Sequence, residues 1–201
     1  MTQNCFLKSE KIILKPIETE ELSKLARMIS TWVNDGIVTY YLFTGQKPQN
    51  SSEVLKDFTK LLEEKNNIIF LIIDQETKKM IGYAGIYEIN PIVRKGEFRI
   101  LIGEKNFWNK GYGTEITELV TYYGFDRLNL NRIYLGYASE NKGAGRAYEK
   151  AGYQYEGTLK EDVYRNSQYY DGIKMAILRE DYYKKFYKPH LKRFGRELIK
   201  K

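Results

Sequence analysis

Two glycines, Gly111 and Gly113, lie in the stretch FWNKGYGTE, just before a segment with apolar residues every three or four positions. That spacing predicts an α-helix, so the glycines fall where its N-terminus begins. Glycine adopts positive φ cheaply and lets the chain turn tightly. Such a turn also exposes backbone N–H groups at the positive end of the helix dipole, which favours an anion. The pattern indicates either a plain turn or a phosphate-binding loop, and two glycines alone do not separate them.

Asn141 and Tyr148 form a second candidate pair, in the predicted helix ENKGAGRAYEK. Residues seven apart differ by about 700° at 100° per residue, so they lie on one helix face, two turns apart. The two side chains can therefore address one ligand. Because the chain contains 18 tyrosines, the alternative is that Tyr148 simply packs in the core.

The counts of cysteine and histidine exclude several kinds of catalytic centre. Cys5 is the one cysteine, and the one histidine, His190, lies near the C-terminus. An internal disulfide and a cysteine-cluster metal site are excluded. A Ser-His-Asp or Cys-His centre, or a histidine-rich zinc site, is disfavoured in the main domain. We expect no metal, and chemistry that uses tyrosine, carboxylate, lysine or backbone groups.

Length and composition fit one main domain. The 201 residues are 42% hydrophobic, which is enough for a substantial core. The first residues, MTQNCFLKSEK, lack the basic-then-apolar order of a secretion signal, and no apolar run approaches the roughly 20 residues that span a bilayer. We therefore expect a soluble, cytoplasmic protein without a membrane span.

The net charge of +7 is concentrated at the C-terminus. Residues 182–201 contain eight Lys or Arg and one Glu, whereas residues 1–181 contain 25 side chains of each sign. Within the basic segment, Leu191, Phe194 and Leu198 recur at helical spacing. We predict that this tail packs on the domain or a partner as an amphipathic segment. An arm that contacts RNA or a membrane surface is the alternative.

The elements that must position these residues follow from hydrophobic periodicity. The segment KIILKPI predicts a strand, and two helices follow it, ETEELSKLARMISTWVND and SSEVLKDFTKLLEEK, the second with Ser51 or Ser52 as its N-cap. Three strands with short connections suit antiparallel hairpins: NIIFLIID, KMIGYAGIYEI and GEFRILIG. After the glycine turn and its helix come the strand RIYLGYAS, the helix of Asn141 and Tyr148, which ends at Gly152, and strands around YEGTLKEDVYRN and YYDGIKMAILRE.

This order of elements resembles the GCN5-related N-acetyltransferase (GNAT) superfamily from about Lys11 to Tyr183. GEFRILIGEKNFWNKGYGTE is similar to the fourth strand and pyrophosphate loop of its branch of ribosomal-protein N-terminal and spermidine acetyltransferases. LNLNRIYLGYASEN is similar to the fifth strand, and ENKGAGRAYEKAGYQYEG to the next helix and turn. The resemblance implies an α/β (α+β) fold with a mixed, mostly antiparallel sheet of about seven strands and flanking helices. We predict a domain over residues 1–183 and a basic tail over residues 184–201.

The resemblance implies acetyl-coenzyme A (acetyl-CoA) as the acyl donor. Trp108 stands where the family has Gln or Arg, and Asn109 where glycine is common, but backbone donors matter more than side chains in this loop. The residues whose backbone N–H groups would hold the pyrophosphate are Trp108, Asn109, Lys110, Gly111, Tyr112, Gly113 and Thr114.

The same resemblance places the pantetheine arm of the donor beside Ile100, Leu101 and Ile102, where the fourth and fifth strands splay. A backbone N–H in that stretch would polarise the thioester carbonyl. The alternative is an ordinary core strand, and both can hold because successive residues of a strand face opposite ways.

Catalytic roles follow from the resemblance as well. A tyrosine at the position of Tyr148 protonates the departing CoA thiolate, and an asparagine at the position of Asn141 contacts the cofactor. A phenol suits this role because its usual pKa of about 10 keeps it protonated at neutral pH. Glu97, on the fourth strand, is the candidate base for the acceptor amine, directly or through water. The alternative is an exposed strand glutamate paired with Arg99 or Lys95.

The sequence therefore predicts an acetyl-CoA-dependent N-acetyltransferase that transfers an acetyl group to a primary amine by direct attack on the thioester. A protein N-terminus, a polyamine and an amino-sugar all remain as acceptors. Asp35 and Glu88 are further candidates for the acceptor side, and the alternative is that they are solvated turn residues. The alternative is a non-catalytic module with the same fold that binds CoA or RNA. A homodimer, and RNA contacted through the basic tail, are the partners left open.

Overall fold

The computed structural model describes residues 5–42 and 45–195, which form one eight-stranded mixed sheet with helices on both faces. The strand order is β1-β2-β3-β4-β5-β6-β8-β7, and within these residues only β5 and β6 are parallel neighbours. The strands are β1 Leu7–Lys8, β2 Ile12–Lys15, β3 Ile68–Asp74, β4 Met80–Asn90, β5 Lys95–Ile102, β6 Arg132–Ala138, β7 Gln154–Arg165 and β8 Gln168–Leu178. The predicted fold class is confirmed, and the additional strand is β1, whose two residues are too few for a recognisable apolar pattern.

Helices cover both faces of the sheet and create two hydrophobic cores. Leu71 of β3 packs with α1 and α2, whereas its neighbour Ile72 packs with α3 and α4. Successive strand residues face opposite ways, so one apolar strand serves both cores. The helices are α1 Leu22–Val33, α2 Ser51–Glu63, α3 Tyr112–Asp126, α4 Lys142–Lys150, α5 Arg179–Lys185 and α6 Tyr187–Phe194.

The N-cap of α2 is Asn50, and the prediction of Ser51 or Ser52 is wrong. The Asn50 side chain accepts hydrogen bonds from the N–H groups of Ser52 and Glu53, and the Glu53 carboxylate accepts one from the Asn50 N–H. This reciprocal capping box satisfies backbone donors at the helix start. Three good capping residues stand in a row here, and the glutamate three positions after Asn50 decides between them.

Strands β5 and β6 part halfway along their length. Their pairing covers Lys95 with Arg132, Gly96 with Ile133 and Glu97 with Tyr134, and no further pair joins them within the described strands. On its other side β5 remains paired with β4 as far as Ile102. A gap therefore opens between the second halves of β5 and β6, as the predicted splay requires.

The C-terminal residues pack against the domain as far as the structure describes them. The predicted boundary after residue 183 falls inside α5, and Phe194 of α6 joins the same core as Tyr182. Arg193 also pairs with Glu118 of α3 at 2.7 Å. Leu191 is 43% exposed, contrary to its expected burial, and Leu198 lies outside the described residues. No helix within residues 5–42 and 45–195 is long and apolar enough to cross a bilayer.

Candidate active site

The glycine turn has the backbone geometry of an anion-binding loop. Asn109 and Gly111 both have positive φ, 58° and 83°, and Gly111 is the N-cap of α3. The N–H groups of the first helical residues, from Tyr112 to Thr114, have no partner within a helix. No heavy atom lies within 4 Å of a Cβ placed on Gly113. The loop therefore presents several free donors to an open space, which suits a pyrophosphate.

Tyr112 anchors this loop through its side chain. Its hydroxyl donates to Asp74 at the end of β3 at 2.6 Å, and Asp74 also accepts hydrogen bonds from the N–H and hydroxyl of Thr77. Burial and the hydrogen bond to Asp74 raise the pKa of Tyr112 to about 12. Burial alone would raise the pKa of Asp74, but the hydrogen bonds from Thr77 and Tyr112 lower it below its usual range. An ionised carboxylate thus fixes the start of α3.

Trp108 has a different position from the one expected of a phosphate donor. Its backbone N–H donates to the Lys105 carbonyl at 3.1 Å, and its indole N–H donates to the Ile102 carbonyl at 2.8 Å. Both donors are occupied, so the set of free N–H groups begins at Asn109. The indole instead closes the end of β5, next to the loop.

Lys11 is a loop neighbour that sequence reasoning missed. Its Nζ donates to the Lys110 carbonyl at 2.8 Å, and a Cβ placed on Gly111 would lie 3.3 Å from that nitrogen. The Lys11 N–H donates to the buried Glu115 of α3 at 2.9 Å, which fixes this lysine beside the helix. The ammonium adds positive charge to the loop. No sequence signal could reveal it, because 99 residues separate Lys11 from Lys110.

The free edge of β5 offers backbone groups to the gap. The Gly103 N–H donates to the Ile81 carbonyl at 3.0 Å, so alternate residues, Leu101 among them, direct their polar groups toward β4. Ile100 directs its backbone groups toward the gap, whereas the Ile102 carbonyl on the same edge is occupied by the Trp108 indole N–H. Of the three residues predicted beside the pantetheine arm, Leu101 therefore contributes a side chain and no backbone group. The Ile100 N–H is the donor in the position expected for polarising a carbonyl.

A cavity of about 370 Å³ occupies the gap. Phe98, Ile100 and Tyr148 belong to the core under α3 and α4, whereas Tyr87 and Leu101 belong to the core under α1 and α2. The cavity is thus lined from both faces of the sheet, so two ligands that approach from opposite faces can meet in it. The other lining residues are Tyr41, Leu42, Leu61, Tyr83, Glu97, Arg99, Gly136, Tyr137 and Asn141.

Tyr148 and Asn141 meet at this cavity, as their spacing predicted. Tyr148 is 9% exposed, and its ring packs edge-on against Phe98 and Tyr137. Its hydroxyl has no hydrogen bond to another described residue. Burial, with a smaller effect from Tyr137, raises the pKa of Tyr148, so the phenol keeps its proton. Asn141 is the N-cap of α4, and its side-chain oxygen accepts from the Ala144 N–H at 3.1 Å, which leaves the amide N–H₂ for a ligand.

Glu97 lines the cavity and is also ion-paired with Arg99, as the alternative interpretation proposed. Arg99 Nε lies 2.8 Å from Glu97 Oε2, and Arg99 Nη2 lies 2.6 Å from Glu88 Oε1. The guanidinium stacks over the Tyr87 ring at 4.9 Å. The Glu97 side chain is 18% exposed, so the expected exposed glutamate is mostly enclosed and held by a neighbour.

Asp35 and Glu88 do not line this cavity. Asp35 pairs with Lys105 at 2.6 Å, and the hydrogen bonds from Lys105 and the Ile37 N–H lower the pKa of its carboxyl. Within residues 5–42 and 45–195, no three His, Cys, Asp or Glu side chains group together as a metal site would require.

Comparison with known proteins identifies the same family. The model of the acetyltransferase (GNAT) domain matches residues 11–154. Spermidine N(1)-acetyltransferase of Escherichia coli K12 is 30% identical over 175 residues, 87% of this chain and 89% of that protein. The putative ribosomal N-acetyltransferase YdaF of Bacillus subtilis is 23% identical over 179 residues, 87% of this chain and 94% of that protein.

A solved structure agrees with this match. The crystal structure of spermidine N-acetyltransferase from Vibrio cholerae, in complex with CoA and spermine, matches with a TM-score of 0.75. The two sequences are 31% identical, and the match covers 86% of this chain and 98% of the other. Because the family model and these relatives cover most of the chain, the protein belongs to the GNAT acetyltransferase family and is an acetyl-CoA-dependent N-acetyltransferase.

Proposed function

We propose that the acceptor is a primary amine, which attacks the thioester directly inside the cavity between β5 and β6. One observation carries the proposal: the Tyr148 hydroxyl, the Glu97 carboxylate and the free edge at Ile100 reach the same cavity. Direct attack needs a proton donor for the leaving sulfur, a proton acceptor for the amine and a hydrogen-bond donor for the carbonyl oxygen. Tyr148 would be the proton donor, Glu97 the proton acceptor and the Ile100 N–H the hydrogen-bond donor.

The start of α3 is the proposed binding site for the pyrophosphate of the donor, whose thioester supplies the activated acetyl group. The free N–H groups lie between Asn109 and Thr114, the space beside Gly113 is open, and Lys11 adds a positive charge beside Gly111. Asn141, which lines the cavity, offers its amide N–H₂. These contacts would hold the donor so that its pantetheine arm places the acetyl group near Ile100.

Tyr148 is the proposed general acid. Its Oη carries a proton that no described residue accepts, and the raised pKa keeps that proton in place until the sulfur leaves. As the carbon–sulfur bond breaks, Oη donates its hydrogen bond and then its proton to the sulfur.

Glu97 is the proposed base. Only a neutral amine can attack, so a proton must leave the acceptor nitrogen, and Glu97 can accept it through an ordered water. Arg99 holds the carboxylate through Nε, which fixes its orientation toward the cavity. Once the carbon–sulfur bond has broken, the nitrogen loses its second proton to the Tyr148 phenolate, which restores the phenol, and Glu97 passes the first proton to solvent.

Thiol release from acetyl-CoA tests the proposal with the purified full chain and a panel of amines. The panel includes spermidine, which the names of several relatives specify, together with monoamines and a peptide with a free N-terminus. We expect acceptor-dependent release of CoA, and lower turnover for Glu97→Gln at unchanged acetyl-CoA affinity. Stabilisation by acetyl-CoA without release for any amine would contradict the proposal and indicate binding without transfer.

A further inference from the structure

The acceptor side of the cavity contains little negative charge. The lining residues from the α1 and α2 face, apart from Glu97 and Arg99, are uncharged: Tyr41, Leu42, Leu61, Tyr83, Tyr87 and Leu101. Burial raises the pKa of Tyr83 to about 12, so this phenol stays neutral. Among the described residues that line the cavity, Glu97 is the single carboxylate.

That carboxylate is already compensated. Arg99 lines the same cavity and binds Glu97 through Nε, while its Nη2 binds Glu88 outside the cavity. Glu97 and Arg99 together contribute no net charge to the cavity wall. An ammonium group of a ligand would therefore compete with a guanidinium that is held by two carboxylates and stacked on Tyr87.

The connection between α1 and α2 supplies no other acid to the cavity. Tyr41 and Leu42 belong to this connection, residues 34–50, in which Asp35 is the one acidic residue and Lys47 the one basic residue. Asp35 is bound to Lys105 at 2.6 Å and lies outside the cavity lining. The remainder of the connection is uncharged in sequence, so it offers no partner for a second ammonium.

A polyamine needs several such partners, because each buried ammonium costs free energy unless a carboxylate accepts its hydrogen bonds. A monoamine needs no further carboxylate, because its one positive charge disappears when Glu97 accepts the proton of the attacking nitrogen. Building on the function proposed above, we propose that the acceptor is a small primary monoamine with an apolar or aromatic body. The cavity then disfavours spermidine.

Competing acceptors test this inference directly. The probes are phenethylamine, spermidine and a short peptide with a free N-terminus, assayed by CoA release with the full chain at one pH and salt concentration. We expect kcat/KM for phenethylamine to exceed that for either other probe by about tenfold, because spermidine has further ammonium groups without partners and the peptide has backbone polar groups without partners. Equal or higher kcat/KM for spermidine or for the peptide would overturn the inference.

Matched variants of Arg99 test the physical reason. Arg99→Gln leaves Glu97 and Glu88 without their cation, so the ratio of kcat/KM for spermidine to that for phenethylamine should rise about tenfold. Arg99→Lys keeps the charge and should leave the ratio near that of the unmodified chain. An unchanged ratio in a folded Arg99→Gln protein would overturn the inference.

A second variant keeps the test informative if Arg99→Gln fails to fold. Tyr41→Glu adds a carboxylate to the acceptor wall and should raise the same ratio, whereas Tyr41→Gln should not. No rise with Tyr41→Glu would count against the inference. If spermidine proves the better acceptor, the amine acetyltransferase proposal stands and the monoamine inference fails; if no amine releases CoA, both fail.

Discussion

The proposed donor half of the site, from the start of α3 to the edge of β5, and the proposed acceptor half, on the cavity wall, are built from different parts of the chain. The donor half depends on backbone geometry: two residues with positive φ, free N–H groups at the start of α3 and the unpaired edge at Ile100. The acceptor half depends on side chains, notably Tyr41, Tyr83 and Arg99. Backbone N–H and carbonyl groups are kept through most substitutions, whereas a surface made of side chains changes its shape and charge with each substitution. Relatives can thus share a donor site while their names specify different acceptors.

Tyr148→Phe should have the largest effect, because this residue lies where the two halves meet. We expect turnover to fall by roughly 10² to 10⁴, the usual contribution of one general acid, with acetyl-CoA affinity unchanged. Single-turnover kinetics and titration of acetyl-CoA measure the two quantities.

Tyr137→Phe is the matched control, since Tyr137 lines the same cavity and packs against the Tyr148 ring at 5.6 Å between centroids. It should change turnover only slightly. Similar losses in both variants would show that packing, not proton donation, accounts for the effect.

Gly111→Val tests whether backbone geometry makes the donor half. Gly111 has φ 83°, where a β-branched residue is strained by about 1–3 kcal/mol, so the loop should change conformation. We expect acetyl-CoA affinity to fall by roughly 100-fold, about 2.7 kcal/mol, and its thermal stabilisation to disappear.

Gly157→Val provides the control for Gly111→Val. Gly157 lies on β7, no heavy atom lies within 4 Å of a Cβ placed on it, and it has no positive φ. Its replacement should leave the acetyl-CoA melting shift intact. A full melting shift in Gly111→Val would instead remove the loop from the donor site.

Acidification should weaken the packing under the proposed donor half, because α6 packs against α3 and contains the buried His190. Burial, and to a lesser extent Arg193, lowers the pKa of His190 to about 4, and the Tyr182 hydroxyl lies 3.1 Å from its Nδ1. The unfolded chain binds this proton near pH 6.5, so stability falls as the pH drops from there toward 4. The loss between pH 7 and pH 5 should be about 2 kcal/mol.

Urea unfolding at several pH values measures this loss, and His190→Leu is the comparison variant. It should be less sensitive to pH over the same range, whatever its stability at pH 7. Equal pH dependence in both proteins would assign the acid sensitivity to other groups.

Lys11→Met should have the smallest effect, because it removes one exposed cation while the backbone donors remain. We expect KM for acetyl-CoA to rise about tenfold, with kcat and the acceptor KM unchanged. Acetyl-pantetheine, which has no pyrophosphate, should be used equally well by both proteins. Lys24→Met on α1 is the control, and a loss with acetyl-pantetheine would indicate a structural role for Lys11.

The order of elements could be predicted from the sequence because it depends on short-range patterns, whereas most residues of the cavity could not. The periodicity of β3 to β5 and the glycines before α3 are local features, and so is the seven-residue spacing of Asn141 and Tyr148, which both line one cavity. The predicted N-cap of α2 was wrong because the three adjacent residues Asn50, Ser51 and Ser52 are equally good N-caps in isolation. Strand β1 went unrecognised because it is a strand only through its pairing with β2.

What the sequence by itself determined is the local conformation: a tight turn with positive φ at Gly111, the helix that follows it, and the class of side chain available for chemistry. Tertiary structure decided the parting of β5 from β6 and the position of Lys11 beside Gly111. It also decided that the two N–H groups of Trp108 donate to the carbonyls of Lys105 and Ile102. It also placed the Glu97–Arg99 ion pair in the lining of the cavity. Backbone preferences act over a few residues, whereas these contacts depend on how the strands and helices pack together, and pattern in one segment carries no information about that packing.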